Sequence, residues 1–354
     1  MDCNLITKLA SDKILDKAYD SVCHSRRHSS CNNDIWDLRL NWAREKNAIQ
    51  QTLLKGSYTF TTTKICFGFE GHYEKWAATD AVVLKALKIL LEDVYKKKLS
   101  ANCYHMKGNG GLKGAVRSAA LAQKSYKYVY KSDVSNYYGS IDHSILIDIF
   151  KKEIQDIKVL QLINRFLTHS MECDGKYNER RIGISRGTSL SSLIGTIYMD
   201  SLDELFSGKK SVFYLRYMDD IIVMANHRLV FKRHIKKINT VLEKLKLMTA
   251  FKKTYVGKIT PEGFDFLGYH FNKISVSISN TTIDRMKKKK AAKVHRWWAR
   301  FYESGLYGLR QMKGEMTLKQ TISLYEQNWV KWCCDGVKGK CCVGFCSTWA
   351  SISR

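Results

Sequence analysis

The sequence predicts an α+β fold in which a small antiparallel sheet packs on helices. Residues 126–132 alternate aromatic and apolar side chains with lysine, which is typical of a strand. Residues 212–217 and 221–225 are two further β-rich segments, and they are so close in the chain that they should pair as a hairpin. Segments with apolar residues at every third or fourth position fill the intervals and predict helices. The order strand, helix, hairpin, helix therefore indicates a sheet covered by helices on one face.

The composition indicates one large body with an anionic partner. Lysine and arginine number 59 against 33 acidic residues, which leaves a net charge of +26 spread along the 354-residue chain. A charge of this size favours nucleic acid as the partner over the alternatives, a solubilising surface or a membrane surface. The chain has one proline and no Gly/Ser linker, so we expect no boundary between independently folding domains.

The sequence predicts neither a membrane span nor a secretory signal. Apolar segments such as 81–94 contain charged residues, and the first residues lack a basic start followed by an apolar stretch. We therefore expect a cytoplasmic protein whose 11 cysteines are thiols. The cysteines near the C-terminus lack the C-x-x-C spacing of a zinc ribbon, so reduced or buried thiols are expected there rather than a metal site. These are Cys333, Cys334, Cys341, Cys342 and Cys346.

Four segments in the first third of the chain have local structure signals. Helical periodicity predicts helices over 42–54 and 81–99, and the alternating residues 56–61 between them predict a strand. Residues 104–117 contain four glycines among basic side chains and predict a mobile basic loop. This loop matches neither the Walker nor the dinucleotide spacing, so P-loop chemistry is not expected, and an ordinary surface loop is the alternative.

Three aspartates carry the predicted chemistry. Asp133 ends the predicted strand, and Asp219 and Asp220 occupy the tip of the predicted hairpin. Adjacent carboxylates repel one another, and a bound divalent cation removes that cost. Carboxylate oxygens suit Mg²⁺, and three carboxylates can hold two ions roughly 3.5 to 4 Å apart for phosphoryl transfer. For the tandem aspartates alone, the alternative is a polar hairpin turn, in which aspartate is favoured.

Five motifs, in order, resemble those of reverse transcriptases. Tyr217-Met218-Asp219-Asp220 looks like the catalytic hairpin of that family, and residues 131–143 (KSDVSNYYGSIDH) resemble its first metal-binding motif. Residues 183–192 are similar to its template-gripping loop, and 253–254 and 266–269 stand where the family has its next two motifs. Weaker similarity extends back to about residue 35. The resemblance implies a right-hand polymerase fold with fingers, palm and helical thumb.

The resemblance also implies four segments along the chain. Residues 1–125 would form an N-terminal region and fingers, 126–275 the palm with a finger insertion near 144–182, 276–335 a basic helical thumb, and 336–354 a Cys-containing tail. The helical periodicity of residues 283–302, rich in lysine and arginine, supports the thumb, because phosphate contacts along a duplex need cations. A basic helix without a ligand is the alternative.

Each matched residue receives a role from the resemblance. Asp133, Asp219 and Asp220 would bind the metal ions, with the carbonyl of Val134 completing one shell. Lys253 would protonate the departing pyrophosphate, with a solvated surface lysine as the alternative. Tyr138 matches the aromatic steric gate that excludes a ribose 2′-hydroxyl, and the remaining nucleotide contacts would be Arg186, Gly187, Tyr217 and Met218. Nucleic acid would contact Phe266, Leu267, Gly268, Tyr269, Lys287, Lys290 and Arg296, with core packing as the alternative for Phe266 and Leu267.

Two of the motifs depart from the family pattern. The template-gripping motif usually reads Pro-Gln-Gly and later Ser-Pro, whereas here it reads Ser-Arg-Gly at 185–187 and Ser-Ser at 191–192. Arg186 replaces an uncharged amide with a fixed cation, which could contact a phosphate of the template or of the incoming nucleotide. Gly139 stands where many relatives carry another aspartate.

The resemblance as a whole implies an RNA-directed DNA polymerase that uses two Mg²⁺ ions, with Mn²⁺ as the alternative ion. Its partners would be dNTPs, an RNA template and a DNA product or primer. The departures favour the stand-alone bacterial enzymes of the unclassified and abortive-infection groups, which implies a structured non-coding RNA template and a role in antiphage defence. Template-independent synthesis, protein-primed synthesis and a non-catalytic RNA-binding scaffold are the alternatives. The sequence indicates neither the primer nor the oligomeric state.

Overall fold

A computed structural model describes residues 4–68, 71–303 and 318–336 of the chain. The chain forms two compact units, each with sheets of its own. Unit 1 comprises residues 1–103, 133–208 and 234–250, and unit 2 comprises residues 104–132, 209–233 and 251–354.

The described residues form helices and short strands, in agreement with the predicted α+β class. The helices are α1 (Leu5–Leu9), α2 (Asp12–Ser25), α3 (Ile35–Leu40), α4 (Trp42–Lys55), α5 (Ala78–Tyr95), α6 (Gly111–Ala122), α7 (Tyr137–Ser140), α8 (His143–Lys151), α9 (Ile157–Leu167), α10 (Ser191–Tyr198), α11 (Asp200–Glu204), α12 (Arg228–Lys244), α13 (Asn280–Glu303) and α14 (Leu318–Gly336). The strands are β1 (Thr63–Gly68), β2 (Gly71–Lys75), β3 (Tyr128–Ser132), β4 (Ser170–Cys173), β5 (Lys176–Glu179), β6 (Val212–Tyr217), β7 (Asp220–Ala225), β8 (Tyr255–Lys258), β9 (Phe264–Phe266), β10 (Tyr269–Phe271) and β11 (Val276–Ile278). A 3₁₀ helix spans Phe251–Lys253.

Unit 1 is mainly helical and contains one four-stranded sheet in the order β2-β1-β4-β5. Strands β1 and β4 pair in parallel, and the other neighbours pair antiparallel. Helix α5 supplies much of the core, because its apolar side chains recur at helical spacing and Leu87, Leu90 and Leu91 are fully buried. Helix α2 packs against α5 through its own apolar face.

Unit 2 contains two antiparallel sheets, in the orders β6-β7-β3-β8 and β11-β10-β9. The buried face of the first sheet and the small side chains of α6 belong to one hydrophobic core, which also includes the second sheet. Alanines on α6 let the helix approach the sheet closely, because a methyl group takes little space. The core residues are Ala115, Val116, Ala119, Ala122, Val129, Leu215, Ile222, Met224, Phe264, Phe266, Tyr269, Phe271 and Val276.

Most of the predicted elements are present. The helices predicted over 42–54 and 81–99 are α4 and α5, the predicted strand at 126–132 is β3, and the predicted hairpin is β6 with β7. Across the described ranges, no helix is both long enough and apolar enough to cross a membrane. Cys333 is buried, whereas Cys341, Cys342 and Cys346 lie outside the described residues.

The strand predicted at 56–61 is wrong, because these residues bind a side chain instead of a neighbouring strand. Asp80 is 1% exposed and accepts hydrogen bonds from the Tyr58 hydroxyl (2.7 Å) and the Thr61 N–H (3.0 Å). Regular pairing begins only at Thr63. The buried carboxylate therefore satisfies polar groups that a strand would satisfy in a ladder.

The mobile loop predicted at 104–117 is wrong for its second half. Helix α6 begins at Gly111, and its buried alanines and Val116 anchor it in the core of unit 2. Three of the four glycines lie at or before the start of the helix: Gly108, Gly110 and Gly111 have positive φ values of 96°, 95° and 63°, whereas Gly114 lies within α6. The apolar residues at 115, 116 and 119 were the helical signal that the glycines obscured.

Candidate active site

The tandem aspartates lie at the turn between β6 and β7. Tyr217 pairs with Asp220, so the turn consists of two residues, Met218 and Asp219. Met218 has a φ of 55°, and two-residue hairpin turns require a positive φ at their first position. A methionine disfavours this backbone because its Cβ is crowded there. The predicted hairpin with acids at its tip is confirmed, and its turn has a conformation that its own sequence does not favour.

Two side chains of unit 2 hold the backbone of this turn. Arg216 is fully buried, and its Nη1 donates a hydrogen bond of 3.0 Å to the carbonyl oxygen of Met218. The N–H of Met218 donates to Nδ1 of His105 at 2.9 Å. The imidazole of His105 also packs edge-on against the ring of Tyr217, with 5.8 Å between the centroids. Both polar backbone atoms of Met218 are therefore bonded.

His105 is a site residue that the sequence motifs did not reveal. It lies 113 positions before Met218, within the segment predicted as a mobile loop. The N–H of Tyr104 donates to the carbonyl of Arg216 at 2.9 Å, which fixes this segment beside β6. No local sequence pattern predicts this contact. His105 lies before the start of α6 and Met218 lies in a turn, so neither residue is part of a helical or strand periodicity.

Strand β3 lies beside β7 and leads directly to Asp133. Ser132 is the last residue of β3 and pairs with Ile221, the residue after Asp220. Asp133 is the next residue in the chain after Ser132. The hydroxyl of Ser132 also contacts that of Thr254 at 2.8 Å, which joins the end of β3 to the segment before β8.

Lys253 lies in the 3₁₀ helix that precedes β8. Its side chain is exposed, and its carbonyl oxygen accepts a hydrogen bond of 2.9 Å from Nζ of Lys131 in β3. The backbone at Lys253 is therefore fixed to β3, two residues before Asp133 in the chain.

Within unit 1, Asp133 is held by the backbone that follows α12. Asp133 is 7% exposed, and its carbonyl accepts a hydrogen bond of 2.8 Å from the N–H of Ala250. Val134 forms an isolated antiparallel bridge with Thr249. The side chain of Val134 is apolar and 2% exposed. A cation could therefore be bound at Val134 only through the backbone carbonyl oxygen.

Tyr138 is braced by a glycine of α10. A Cβ at Gly195 would lie 3.0 Å from Cε1 of Tyr137 and 3.3 Å from Cε1 of Tyr138, so a side chain there would press on both rings. The Tyr137 hydroxyl donates to the carbonyl of Gly195, and the two tyrosine rings lie 5.4 Å apart. Gly195 and Tyr137 therefore restrict the movement of the Tyr138 ring, and a steric gate requires a ring that keeps its position.

The predicted template loop lies against the first motif at two glycines. Gly183 donates its N–H to the carbonyl of Ile141, and Ile184 donates to the carbonyl of Tyr138, both at 2.8 Å. A Cβ at Gly183 would lie 2.8 Å from the Cα of Gly139. The backbones touch at this point, so neither segment can shift without the other.

Arg186 and Gly187 follow on the same loop. Nη2 of Arg186 donates a hydrogen bond of 2.9 Å to Oδ1 of Asn136. The Arg186 carbonyl accepts from the N–H of Glu74 at 3.3 Å. Gly187 has a φ of 93°, and a Cβ added there would lie 3.7 Å from the Cβ of Tyr73. Asn136 is a second site residue to which the motifs assigned no role, although its contact with Arg186 crosses only 50 positions.

A buried network of hydrogen bonds connects this loop to β2. Oε2 of Glu74 lies 2.7 Å from Nε2 of His169, and Oε1 accepts from Arg180. Burial raises the pKa of Glu74, but the hydrogen bond from His169 and the charge of Arg180 outweigh it, and the pKa lies below its usual value. Trp76 follows on the same strand segment and donates its indole N–H to the Ser185 hydroxyl at 2.9 Å. The network thus connects β2 to the residue before Arg186.

A cleft of about 590 Å³ opens in unit 1 beside Gly187. Its lining includes the aromatic ring of Tyr73 and three cationic side chains, Arg26, Lys75 and Lys85. The acidic residue in its lining is Glu74, whose carboxylate is already bonded to His169 and Arg180. Arg26 is likewise paired with Asp34 at 3.2 Å, so the excess of basic over acidic side chains in the lining comes from its lysines.

The predicted primer-contacting residues form the β9–β10 hairpin of unit 2. Phe266 and Tyr269 pair with each other and are each 1% exposed, so their side chains belong to the core. Leu267 and Gly268 form the turn, with φ values of 50° and 84°. Of the four predicted residues, Leu267 and Gly268 are the two that are partly exposed, so the turn is the part of this set able to meet a ligand.

The basic helix predicted near the C-terminus is α13. Lys287 is exposed, whereas Lys290 forms an ion pair of 2.5 Å with Glu326 of α14. The side chain of Arg296 lies outside the described residues. Among the side chains that the structure describes, no group of three or more His, Cys, Asp or Glu is arranged to hold a metal ion. The metal assignment of the three aspartates thus rests on their sequence positions and on strand register.

Comparison with known proteins gives one family. Residues 78–271 match the family model described as reverse transcriptase (RNA-dependent DNA polymerase). An uncharacterized 91 kDa protein in the cob intron of Schizosaccharomyces pombe is 26% identical over 134 residues, covering 38% of this chain and 17% of that protein. The group II intron-encoded protein LtrA of Lactococcus lactis subsp. cremoris is 25% identical over 126 residues, covering 36% of this chain and 21% of that protein.

These matches cover about a fifth of the length of each relative. A chain of a solved partial Cas6-RT-Cas1–Cas2 complex is also similar, with a TM-score of 0.42 and 16% identity, over 68% of this chain and 42% of that one.

Proposed function

This chain belongs to the reverse transcriptase family, and we propose from that membership that it is an RNA-directed DNA polymerase that extends a primer with dNTPs. The observation that carries the proposal is the register of the central sheet of unit 2. The acidic turn of β6 and β7 lies beside the end of β3, and β3 runs directly into Asp133. The proposed fingers, palm and thumb are the segments 1–125, 126–275 and 276–335.

We assign the metal ions to Asp133, Asp219 and Asp220, with the carbonyl of Val134 as a further ligand. All of these donors are oxygen atoms, which hard cations such as Mg²⁺ or Mn²⁺ prefer. Asp133 is buried and its backbone is bonded to Ala250, so its carboxylate is presented from a fixed main chain. Bound there, two such ions would stabilise the attacking 3′-oxygen and the leaving pyrophosphate oxygen.

The incoming nucleotide is assigned to residues of both motifs. Tyr138 would exclude the ribose 2′-hydroxyl, and the rings and glycine packed around it support a rigid gate. Arg186, Gly187, Tyr217 and Met218 complete the proposed nucleotide contacts. Lys253 would protonate the departing pyrophosphate, and its position as an exposed residue on a fixed backbone is compatible with that role.

Nucleic acid is assigned to basic and aromatic surfaces. The net charge of +26 favours a polyanion, and the cationic cleft beside Gly187, with Tyr73 in its lining, is suited to a single strand of template. The β9–β10 turn at Leu267 and Gly268 is assigned to the primer, and Lys287 to the duplex backbone. A structured non-coding RNA as template and a role in antiphage defence are proposed by analogy with stand-alone bacterial relatives.

Incorporation of dNTPs on an RNA template–primer with Mg²⁺ tests the assignment. We expect Asp219→Ala/Asp220→Ala and, separately, Asp133→Ala to reduce incorporation to background while the affinity for RNA is kept. Asp148→Ala is the matched control, because that carboxylate is exposed and pairs only with Lys151 on the surface. Activity of the double variant equal to that of the wild type would remove the assignment. Sequencing the product identifies the template and separates templated synthesis from template-independent addition.

A further inference from the structure

Arg186 is the cation by which this chain departs from its family pattern, and the structure gives it a fixed partner. Its Nη2 donates a hydrogen bond of 2.9 Å to the side-chain oxygen of Asn136. Within the described part of the chain, no carboxylate forms an ion pair with Arg186. Its guanidinium is therefore oriented by a neutral amide and keeps its full charge, whereas a carboxylate partner would cancel that charge.

Asn136 is itself held in place by its backbone and by Gly139. Its φ of 44° is left-handed, a conformation that asparagine tolerates better than most residues. A Cβ at Gly139 would lie 2.4 to 2.8 Å from three side-chain atoms of Asn136. The amide of Asn136 thus occupies the space that any larger residue at 139 would need. Two of the departures from the family pattern, at 139 and 186, thus meet through the side chain of Asn136.

The loop that carries Arg186 is fixed from two sides. Its backbone is bonded to Glu74 of β2, and Ile184 is bonded to Tyr138. The contact with Asn136 therefore determines mainly where the guanidinium points, because the main chain already has other partners. Asn136 also lies between Asp133 and Tyr138 in the chain, in the segment assigned to metal and sugar.

We propose that Asn136 is a positioning residue that aims the Arg186 guanidinium at a phosphate group of the incoming dNTP, and that Gly139 is required to make room for it. The inference rests on the proposed function and specifies how that site binds the triphosphate. Arginine presents several N–H donors in a rigid fork that matches phosphate oxygens, so its orientation governs its affinity for phosphate.

Steady-state kinetics of single and double variants test the positioning. We expect Arg186→Gln and Asn136→Ala each to raise the KM for dNTP by roughly 10-fold, the loss of one charge-assisted hydrogen bond, with kcat nearly unchanged. The double variant should show no larger KM than Arg186→Gln alone, because Asn136 acts only through Arg186. Additive effects, or an unchanged KM for Asn136→Ala, would overturn the inference. Arg181→Gln, which removes an exposed arginine of the same region, should leave KM unchanged.

Gly139→Ala tests the role of space. The added methyl group would displace the Asn136 side chain, so we expect the same increase in KM as in Asn136→Ala. In the Asn136→Ala background, where that space is open, Gly139→Ala should add nothing to KM or to the loss in Tm. A large further increase in KM or decrease in Tm in that background would show that the glycine is needed only for backbone packing. This result would overturn its proposed role.

Binding at equilibrium separates this inference from the proposed function. The Kd of dTTP with Mg²⁺ and the Kd of an RNA template–primer are measured on the wild type and on Asn136→Ala. If the wild type binds dTTP but incorporates none, the polymerase assignment fails, and a roughly 10-fold weaker Kd for the variant still supports the positioning. If the variant loses affinity only for the RNA, Arg186 contacts a template phosphate and the inference is wrong. If the wild type does not bind dTTP, both fail.

Discussion

His105 accepts a hydrogen bond of 2.9 Å at its Nδ1 from the main-chain N–H of Met218. The donor is a backbone amide, so Nδ1 must be unprotonated and the ring proton must be on Nε2. Arg216 donates to the carbonyl of the same residue. Met218, whose φ of 55° is strained, is thus bonded through both its N–H and its carbonyl, and this holds the backbone from which the two acids follow.

Replacing His105 tests whether this bond matters for the acidic turn. We expect His105→Ala to lower kcat for dNTP incorporation by roughly 10-fold or more, because the released Met218 backbone lets the two aspartates move. His105→Asn should retain most of the activity, since its Oδ1 can accept the same N–H. His28→Ala, at an exposed histidine, is the control. Full activity of His105→Ala would mean that Arg216 alone defines the turn.

Replacing Tyr138 tests the assignment of the sugar gate. Tyr138→Ala removes the ring that would meet a 2′-hydroxyl, so we expect the preference for dNTP over NTP in kcat/KM to fall by about 10-fold or more, equal to about 1.4 kcal/mol. Tyr138→Phe keeps the ring and should keep the preference. Single-nucleotide incorporation with matched dNTP and NTP pairs measures both. An unchanged ratio in Tyr138→Ala would assign sugar selection to another residue.

The lowered pKa of Glu74 predicts how stability depends on pH. The carboxylate is easier to ionise in the folded state than in the unfolded state, where its pKa is near the ordinary value of 4.5. It therefore stabilises the fold above that pH, and the contribution is lost as the pH falls through the lowered pKa. We expect Glu74→Gln to reduce Tm at neutral pH and to weaken the decline of Tm under acid.

Thermal unfolding of the wild type and Glu74→Gln across the acid range measures this prediction. Glu179→Gln, an exposed residue of β5, provides the control and should follow the wild type at every pH. A Glu74→Gln variant whose Tm differs from the wild type by the same amount at all pH values would contradict the titration of Glu74 as the cause.

The two lysines of α13 should differ in their effect on nucleic-acid binding. Lys287 is exposed, whereas Lys290 is already paired with Glu326. We expect Lys287→Ala to reduce the slope of log Kd against log salt by about 1, and Lys290→Ala to reduce it by less. Binding of an RNA–DNA duplex at several salt concentrations measures both slopes. Equal slopes in Lys287→Ala and the wild type would place α13 away from the duplex.

The sequence predicts best those features that are local. The β6–β7 hairpin was predictable because two β-rich segments flank a short polar turn, and α4 and α5 because their apolar residues recur at helical spacing. The strand expected at 56–61 failed because Asp80, distant in sequence, binds Tyr58 and Thr61. The alternation of apolar and polar residues does not show that a distant side chain binds the polar groups of this segment.

The sequence motifs predict part of the candidate site and miss the residues that orient it. The motifs gave the aspartates, Tyr138 and Arg186, whereas the residues that orient them were not predictable. His105 and Asn136 act on Met218 and Arg186 through contacts that cross 113 and 50 positions of the chain. No periodicity or spacing marks such partners, because their positions are determined only when the backbone has folded.

The close approach of Gly139, Gly183 and Asn136 means that these three positions have to be redesigned together. A side chain at 139 collides with the side chain of Asn136, and one at 183 collides with the main chain of 139. A design that places a larger residue at 139 therefore has to shorten the side chain at 136 in the same step, whereas a side chain at 183 requires a shift of the main chain itself.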